Sequence, residues 1–463
     1  MFNETKAREA VQTCLAAHIE ERKAFDEIHE YMMPWTADTA ARHIGANIKT
    51  KNKKIHAEIA RMSVAPFVGL VVDTYSQSLK VDGFYTQDRS RAQAWQWWQR
   101  NKMPARQTGL HRAALTYGTA YASVLPANRD AVRIGVHSPR RMVTLYSDSI
   151  GIPGRWGSSD EYPMLALEIG KDYLRLFDEE HVYYFGVEHK PQSVSHWLDR
   201  AFMHPANLPL IEVRRHNVGV VPIVRYQDRM LADGEERRGI VQHLLGLQDR
   251  INRTNYEQGV AQHFAAFKQR YVVGWMPTDE IQAFKQSVAD TQFFQDANVK
   301  VGQYDETDLS RYIDARQASV RDFAALAQVP AQSLGANAIS NISADGLAAL
   351  ETSKDRQAAE IQTSFSESHE QLLRLCCHVV DDEEGASDYE SEIQWEETSA
   401  RSFAQTVDGL GKLATMLGIP AEELWQDIPG WTKERVERAR RARSSSWWVD
   451  QEDPANPSEG LIM

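Results

Sequence analysis

Two segments place a histidine directly before a glutamate, the pattern with which the metal-binding helix of many zinc hydrolases begins. The pairs lie at 29–30 and 369–370, each in a segment predicted to be helical. A zinc helix needs a second histidine four residues after the first, because that spacing puts both imidazoles on one face. Met33 and Leu373 stand at those positions. Neither segment is therefore predicted to bind zinc.

Other candidate cofactor and catalytic motifs are incomplete. Gly409–Lys412 lacks the spacing of a phosphate-binding loop, and the glycines of Gly151–Gly157 do not fit the dinucleotide-binding pattern. Cys376–His378 would point in different directions around a helix, which favours a structural role. Asp381–Glu384 could hold a cation, although a solvated linker is the more common role of such a run. We assign no catalytic, cofactor-binding or metal-binding residues.

Three arginines in one predicted helix could contact the phosphates of DNA. Arg311, Arg316 and Arg321 are each five residues apart, so successive side chains rotate by about 140° and spiral around the helix. One or two could face DNA, and the others would pair with Asp314 or Asp322. The alternative, in which all three form solvated or intersubunit salt bridges, is favoured by the sequence alone.

Tryptophans and a second group of arginines are further candidates for nucleic-acid contact. Trp95, Trp97 and Trp98 could stack on bases, but no basic run surrounds them, so packing in the core or at a subunit interface is favoured. Near the end of the chain, five arginines could meet DNA or form a solvated helix end. These are Arg435, Arg438, Arg440, Arg441 and Arg443.

The composition is that of a soluble globular protein with an acidic surface. The 463 residues include 52 Lys and Arg against 64 Asp and Glu, a net charge of −12. Such a balance argues against gripping nucleic acid over a broad basic face. It is compatible with DNA passing nearby, because an acidic wall repels a polyanion and keeps it from sticking.

Cysteine content and hydropathy indicate a protein that folds in a reducing compartment, without a membrane. Cys14, Cys376 and Cys377 are the only cysteines, and two adjacent cysteines on a helix do not easily pair, so no disulfide framework is expected. The first residues are charged, so we expect no signal peptide. The longest apolar run, Val64–Val72, contains Pro66 and is shorter than the roughly 20 residues that span a bilayer.

Hydrophobic periodicity predicts an α+β fold that is predominantly helical. Segments 121–225 alternate apolar and polar residues between turn signals, which predicts an antiparallel meander. A helix of roughly 30 residues follows from about 235, and then a small mixed insert with strands near 270–275 and 298–303 around a helix at 278–289. Before the meander, the pattern predicts helices at 1–32, 50–80, 92–102 and 109–117, with a flexible basic interval at 42–52.

The last part of the chain begins with two helices joined by a loop of small residues. Pro330 ends the first helix, because proline disfavours helical geometry in the residue before it. Gly335, alanines and asparagines follow; this composition buries little and predicts a mobile loop. Ser343 or Asn341 can cap the second helix, which runs to about 380. An acidic linker at 381–388, a strand at 389–396, helices at 402–443 and a disordered tail from 444 complete the prediction.

This order of elements, together with six local motifs, resembles the portal proteins of tailed bacteriophages, in particular the siphophage-type family. The motifs are VDTYSQSLKVDGF (72–84), HRAALTYGTAYASV (111–124), HSPRRMVTLYSD (137–148), HNVGVVPIVRYQDR (216–229), LLGLQDRINRTNYEQ (244–258), and FAALAQVPAQSLG (323–335) with NISADGLAALE (341–351). Each motif is weak alone, but six in the same order are fairly specific. No family feature is found after Arg443.

The resemblance implies a portal fold with wing, stem, clip and crown regions that assembles into a ring. It divides the chain into a wing (1–234), a stem helix (235–268), a clip (269–308), a returning stem helix (309–329), a tunnel loop (330–342), a long helix returning to the wing (343–400), crown-like helices (401–443) and a tail (444–463). It also implies that the tunnel loop contacts DNA. The residues placed there are Gln332, Ser333, Asn337, Ser340 and Asn341, and an ordinary helix–helix linker is the alternative.

The resemblance further implies a non-enzymatic channel, usually of twelve copies, through which double-stranded DNA is packaged and ejected. Its partners would be DNA without regard to sequence, the large terminase subunit, the major capsid or scaffolding protein and a head–tail adaptor, with no cofactor. The protein would be made in the cytoplasm of the bacterial host and reside at the portal vertex of the virion. Two alternatives are a DNA-processing enzyme of the packaging machine, and a minor capsid or adaptor component that forms no channel.

Overall fold

A computed structural model describes most of the chain, which divides into two compact units. Described are residues 2–45, 53–85, 92–128, 131–146, 161–186, 208–229, 239–265, 270–273, 300–303, 308–336, 344–396, 403–428, 431 and 433–450. The large unit comprises 1–29, 69–242 and 340–463, and the small unit comprises 30–68 and 243–339. The small unit therefore includes most of the segments assigned to the stem and the clip. It also includes residues 30–68, which the sequence analysis placed in the wing.

The chain begins mainly with helices, continues with a run of strands over 119–227, and then consists mainly of helices again. The helices are α1 (Glu4–Met32), α2 (Ala37–Ile44), α3 (Lys53–Met62), α4 (Phe67–Ser78), α5 (Ala92–Arg100), α6 (Met103–Tyr117), α7 (Leu245–Ala265), α8 (Ser310–Leu326), α9 (Ala344–Val379), α10 (Glu383–Ala386), α11 (Phe403–Leu417) and α12 (Lys433–Asp450). The strands are β1 (Val81–Tyr85), β2 (Thr119–Asn128), β3 (Ala131–His137), β4 (Met142–Leu145), β5 (Leu165–Ile169), β6 (Tyr173–Phe177), β7 (His181–Gly186), β8 (Leu210–Arg215), β9 (Ile223–Gln227), β10 (Arg270–Val273), β11 (Lys300–Gln303) and β12 (Glu392–Trp395).

The predicted antiparallel meander is confirmed in the large unit. Strands β4 to β8 form one five-stranded antiparallel sheet in sequence order. One face of this sheet packs against α1, because apolar residues of the helix and alternate residues of the strands form a common buried cluster. Its members include Val11, Leu15, Leu167, Leu176 and Phe185.

Two smaller sheets complete the large unit. Strand β2 lies between β3 and β9, and β1 pairs antiparallel with β12, which is about 300 residues later in the sequence. Gln107 of α6 extends the edge of β1, because its side-chain oxygen accepts from the Val81 amide (3.0 Å) and its amide donates to the Val81 carbonyl (3.4 Å). The α+β class predicted from the sequence is confirmed.

The tryptophans of α5 pack in the interior, as the sequence favoured. Trp97 and Trp98 are buried, and the ring of Trp95 stacks on Trp98 with a centroid distance of 5.5 Å. Rings packed in this way are not available to stack on bases. The base-stacking alternative is therefore wrong for Trp97 and Trp98.

Several predicted boundaries in the N-terminal half are wrong, each for a local reason. Helix α2 occupies part of the interval predicted to be flexible, because Thr36 caps its first turn and Gly45 closes its end at φ 74°. Helix α6 begins at Met103 and not at 109, since Pro104 fits the first turn of a helix. Residues 46–52 lie outside the described chain.

The long helix predicted from 235 is shorter than expected. Gly239 has φ +67° and the Ile240 amide donates to the Leu115 carbonyl at 2.9 Å, so the backbone at this point is not helical. A 3₁₀ turn at Gln242–Leu244 leads into α7.

At the other end of the chain, α12 continues through Asp450, so the predicted disordered tail is wrong for 444–450. Residues 451–463 are outside the described chain.

The small unit combines helices α2, α3, α7 and α8 with the β10–β11 hairpin. The two predicted insert strands are confirmed and pair antiparallel, with Val272 opposite Val301; the predicted helix at 278–289 lies outside the described residues. One stretch, Lys53–Ser78, is apolar enough in composition to cross a membrane. It is divided at Ser63–Pro66 into α3 of 10 residues and α4 of 12 residues, each shorter than the roughly 20 residues that a span requires.

Candidate functional site

The candidate site follows α8, which packs against α7 in the small unit. Phe323 is buried, and its ring lies 6.0 Å from that of Phe67. Val320 and Ala324, three residues before and one after Phe323, are also buried, so one stripe of α8 faces the core. This stripe fixes the direction in which the chain leaves the helix.

Helix α8 ends in a hydrogen-bonded closure at Gln328. This residue has φ +53°, the left-handed conformation that usually belongs to glycine. The Val329 amide donates to the Ala324 carbonyl at 3.1 Å, the backbone bond of a Schellman closure. The predicted end of the helix before Pro330 is therefore confirmed, at the cost of a strained non-glycine residue.

A second closed turn follows immediately. Residues Ala331–Leu334 form a 3₁₀ helix, and Gly335 at φ +75° lets the Ala336 amide donate to the Ala331 carbonyl at 3.1 Å. Leu334 and Ala336 are both buried. The prediction that the loop buries little is thus wrong for 331–336, because Gly335 closes a turn that directs Leu334 inward.

The residues predicted to contact DNA from this loop have different environments. Ser333 is exposed, whereas Gln332 is half-buried. The Gln332 side-chain oxygen is buried and has no hydrogen-bond partner within the part of the chain that the structure describes. Asn337, Ser340 and Asn341 lie outside the described residues.

The three arginines of α8 are not equivalent. Arg311 and Arg321 are exposed, and Arg316 is half-buried. Arg311 pairs with Asp308 at 3.5 Å, and bonds from the Ser310 hydroxyl and amide lower the pKa of the Asp308 carboxyl. Asp322 pairs with Arg250 of α7 at 3.6 Å and not with an arginine of α8. The predicted pairing within the helix is therefore wrong for Asp322, because α7 lies closer to that face.

Arg316 and Arg321 differ from Arg311 in that their charges are not engaged in ion pairs among the described residues. Across the described ranges, neither has an ion-pair partner. Of the two, only Arg321 is exposed, so it is the stronger candidate for a contact with another molecule.

Sequence reasoning missed a group of buried amides on α7, the helix against which α8 packs. Gln248 and Asn252 of α7 are buried and bind the backbone just before α4. Gln248 donates to the Ala65 carbonyl (2.5 Å) and accepts from the Val68 amide (3.3 Å), while Asn252 accepts from the Ala65 amide (2.9 Å). The signal was present in the sequence, as two amides four residues apart in an otherwise apolar stripe.

Most of the C-terminal arginines contact other residues of the same C-terminal segment. Arg435 lies over the Trp431 ring at 4.6 Å, and Arg443 pairs with Glu422 at 3.0 Å. Arg440 donates to the Glu422 carbonyl at 3.1 Å, and Arg441 pairs with Glu437 at 3.7 Å. These contacts favour the solvated helix end over a DNA-binding surface.

The other candidate motifs, at 376–377 and 382, consist of side chains that are buried or that cap a helix. Cys376 and Cys377 are buried free thiols, and burial raises the pKa of each. Asp382 caps the first turn of α10, since its side chain accepts from the Gly385 amide. Within the described ranges, no group of three or more metal-ligating side chains could hold an ion.

Comparison with known proteins identifies the family. The family model described as phage portal protein, SPP1 Gp6-like, matches residues 12–446. This chain belongs to that portal protein family. Similar relatives are the portal protein of Mycobacterium phage D29, 22% identical over 428 residues, and that of Mycobacterium phage L5, 22% identical over 431 residues; each alignment covers 88% of this chain and 83% of the relative.

Solved structures of similar chains come from gene transfer agent particles. One is from the virion of the native particle, with a TM-score of 0.47 and 11% identity over 85% of this chain and 93% of that chain. Another is from the neck of the native particle computed with C12 symmetry, with a TM-score of 0.46 and 12% identity over 84% and 90% of the two chains.

Family membership confirms the resemblance drawn from the six sequence motifs. The protein is a phage portal protein, which makes it a structural component of the virion that acts in packaging DNA. The match extends from within α1 into α12, so it includes both units and the candidate site.

Proposed function

We propose that this portal protein assembles as a ring of twelve copies whose central channel carries double-stranded DNA into and out of the capsid. The observation that supports it most is the family match from residue 12 to residue 446. A conduit needs rigid helices and a wall that binds DNA weakly. The net charge of −12 suits such a wall, because it disfavours adhesion of a polyanion.

Within this ring, we infer that the segment after α8 contacts DNA. The closed turns at 328 and 335 support this, because they hold Ser333 on the surface at a fixed distance from the buried stripe of α8. The segment from Ala331 to Asn341 contains no charged residue, which suits sliding contact with phosphates. Arg321 would add a single basic contact per copy or an intersubunit ion pair.

The remaining partners are assigned to the ends of the ring. We propose that the segment 269–308 forms the clip, where the large terminase subunit docks during packaging and a head–tail adaptor docks afterwards. The large unit would face the major capsid or scaffolding protein. Synthesis would take place in the cytoplasm of the bacterial host, and the protein would act without catalysis.

The ring is tested by negative-stain electron microscopy of the purified chain together with its mass by light scattering. Rings with a central hole and a mass near twelve copies are expected. A monomer that stays monomeric when co-expressed with the capsid and scaffolding proteins would refute the ring.

The DNA contact is tested by Ser333→Glu, which would place one added negative charge per copy along the channel. We expect intact rings with reduced DNA filling in a packaging assay, because the added charges repel the phosphates. Thr415→Glu, at an exposed position of α11, is the matched control. Normal DNA filling by Ser333→Glu rings would place the contact elsewhere.

A further inference from the structure

Two histidines meet inside the large unit with their rings in direct hydrogen-bond contact. His111 of α6 and His369 of α9 are fully buried, and their Nε2 atoms are 2.9 Å apart. The other ring nitrogens also have partners. His111 Nδ1 lies 3.0 Å from the Leu79 carbonyl oxygen, and His369 Nδ1 lies 2.9 Å from the Tyr226 hydroxyl.

Only one arrangement of protons satisfies all three hydrogen bonds with both rings neutral. The Leu79 carbonyl can only accept, so His111 carries its proton on Nδ1 and presents a lone pair at Nε2. His369 must then donate from Nε2, which leaves its Nδ1 to accept from the Tyr226 hydroxyl. The cluster is a directed chain from Tyr226 through both imidazoles to the end of α4.

An added proton would bury a charge wherever it is placed in this chain. On His111 it would occupy Nε2 and point at the N–H of His369. On His369 it would occupy Nδ1, where the Tyr226 hydroxyl would have to turn and accept, and the charge would lie among the Trp98 and Trp395 rings. Attraction of a cation to the ring faces would offset only part of the cost of burying the charge.

Among the residues that the structure describes, no acid faces the two rings to stabilise a charged imidazole. The titratable groups around them, among the described residues, are Tyr226 and the Cys376 thiol near it, and burial raises the pKa of both. Burial lowers the pKa of His111 to about 4, and burial followed by the repulsion from His111 lowers the pKa of His369. Both rings therefore stay neutral through mild acid.

We propose that the His111–His369 pair is an acid-sensitive lock that holds the end of α4, helices α6 and α9 and strand β9 together. In the unfolded chain, histidines take up protons near pH 6.5, whereas in the folded protein the pKa of His111 is lowered to about 4 and that of His369 is also lowered. The unfolded state thus binds more protons in this window, so the contribution is complete above pH 6.5 and is lost as the pH falls towards 4.

The double variant His111→Asn, His369→Gln tests the lock, because Asn retains a donor to Leu79 and Gln retains a donor towards position 111. We measure urea unfolding between pH 7 and pH 4.5. Each proton bound only by the unfolded chain raises the unfolding constant about 10-fold per pH unit, so the two protons of the pair should raise it by up to about 100-fold per pH unit. The double variant should lose this part of the slope. Other buried histidines, such as His18, contribute equally to both proteins.

The exposed His263 provides the control, since His263→Asn should keep the wild-type slope. An unchanged slope in the double variant would overturn the proposal. If the double variant does not fold, nitrogen-15 spectra of the imidazoles in the wild-type protein decide. They should show His111 protonated at Nδ1 and His369 at Nε2 at pH 5.5, and a doubly protonated ring at that pH would equally overturn it.

Discussion

Replacing Gln248 by leucine should open the N-terminal end of α4 within the small unit. Val68 lies in the first turn of α4, where backbone amides have no partner inside the helix. The Gln248 side chain supplies that partner from α7 and also binds the Ala65 carbonyl. Leucine keeps the volume of the side chain and removes both bonds. The Val68 amide then loses its partner, whereas the Ala65 carbonyl still accepts from the Phe67 amide at 3.0 Å.

The expected loss of stability follows mainly from the Val68 amide. A buried polar group that loses its hydrogen bond costs about 1–3 kcal/mol, and leucine recovers part of this through its own burial. A net loss of about 1–2 kcal/mol for local opening is therefore expected, which corresponds to roughly 5- to 30-fold faster hydrogen exchange.

Hydrogen exchange read by mass spectrometry over 63–68 measures this effect directly. Gln262→Leu is the matched control, because Gln262 lies on the same helix and is exposed. Asn252→Ala should also speed exchange, since Asn252 accepts from the Ala65 amide and from the Gln248 side chain. The double variant should lose less than the sum of the two single losses, because the amides share a bond. Exchange within about threefold of wild type in Gln248→Leu would refute the reasoning.

Two glycine substitutions test other close approaches. Gly239→Ala should destabilise the protein by more than about 2 kcal/mol in thermal unfolding, because Gly239 has a positive φ and a Cβ there would overlap the Leu115 carbonyl oxygen. The control Gly246→Ala, with open space around it, should stabilise the protein by about 0.5–1 kcal/mol. Equal effects of the two substitutions would contradict this prediction. Gly135→Ala should cost about 1–3 kcal/mol, because its Cβ would strike the bonded Ser123 and His137 side chains. Adding Ser123→Ala should recover part of that loss, and no recovery would show that the clash lies elsewhere.

Regular elements were predictable from the sequence where apolar spacing is long and uninterrupted. Helix α9 was expected at 343–380 and extends over 344–379, since its apolar residues keep helical spacing over ten turns. Boundaries failed where one residue outside the periodic pattern decides them. Gly239 ends the pattern of the long helix through a backbone contact with Leu115, which is more than 100 residues away in sequence and cannot be inferred from neighbouring residues.

The candidate site was partly predictable for the same reason. Pro330 marks the end of α8 because its effect on the preceding residue is local. The second closure at Gly335 depends on Leu334 and Ala336 finding a buried position, which composition alone does not reveal. The buried amides of α7 were missed because a polar residue in an apolar stripe has no visible partner until the chain before α4 is placed beside it.

The two closures after α8 restrict where this segment can change in length. A residue inserted between Ala331 and Ala336 would break the second backbone closure and displace Leu334, whereas a residue inserted after Ala336 would leave both closures intact. The chain after Ala336 could therefore change in length without disturbing either closure or the end of α8. In the proposed contact with DNA, the turn at 331–336 would serve as a rigid base, because Leu334 and Ala336 are buried and both closures are hydrogen-bonded.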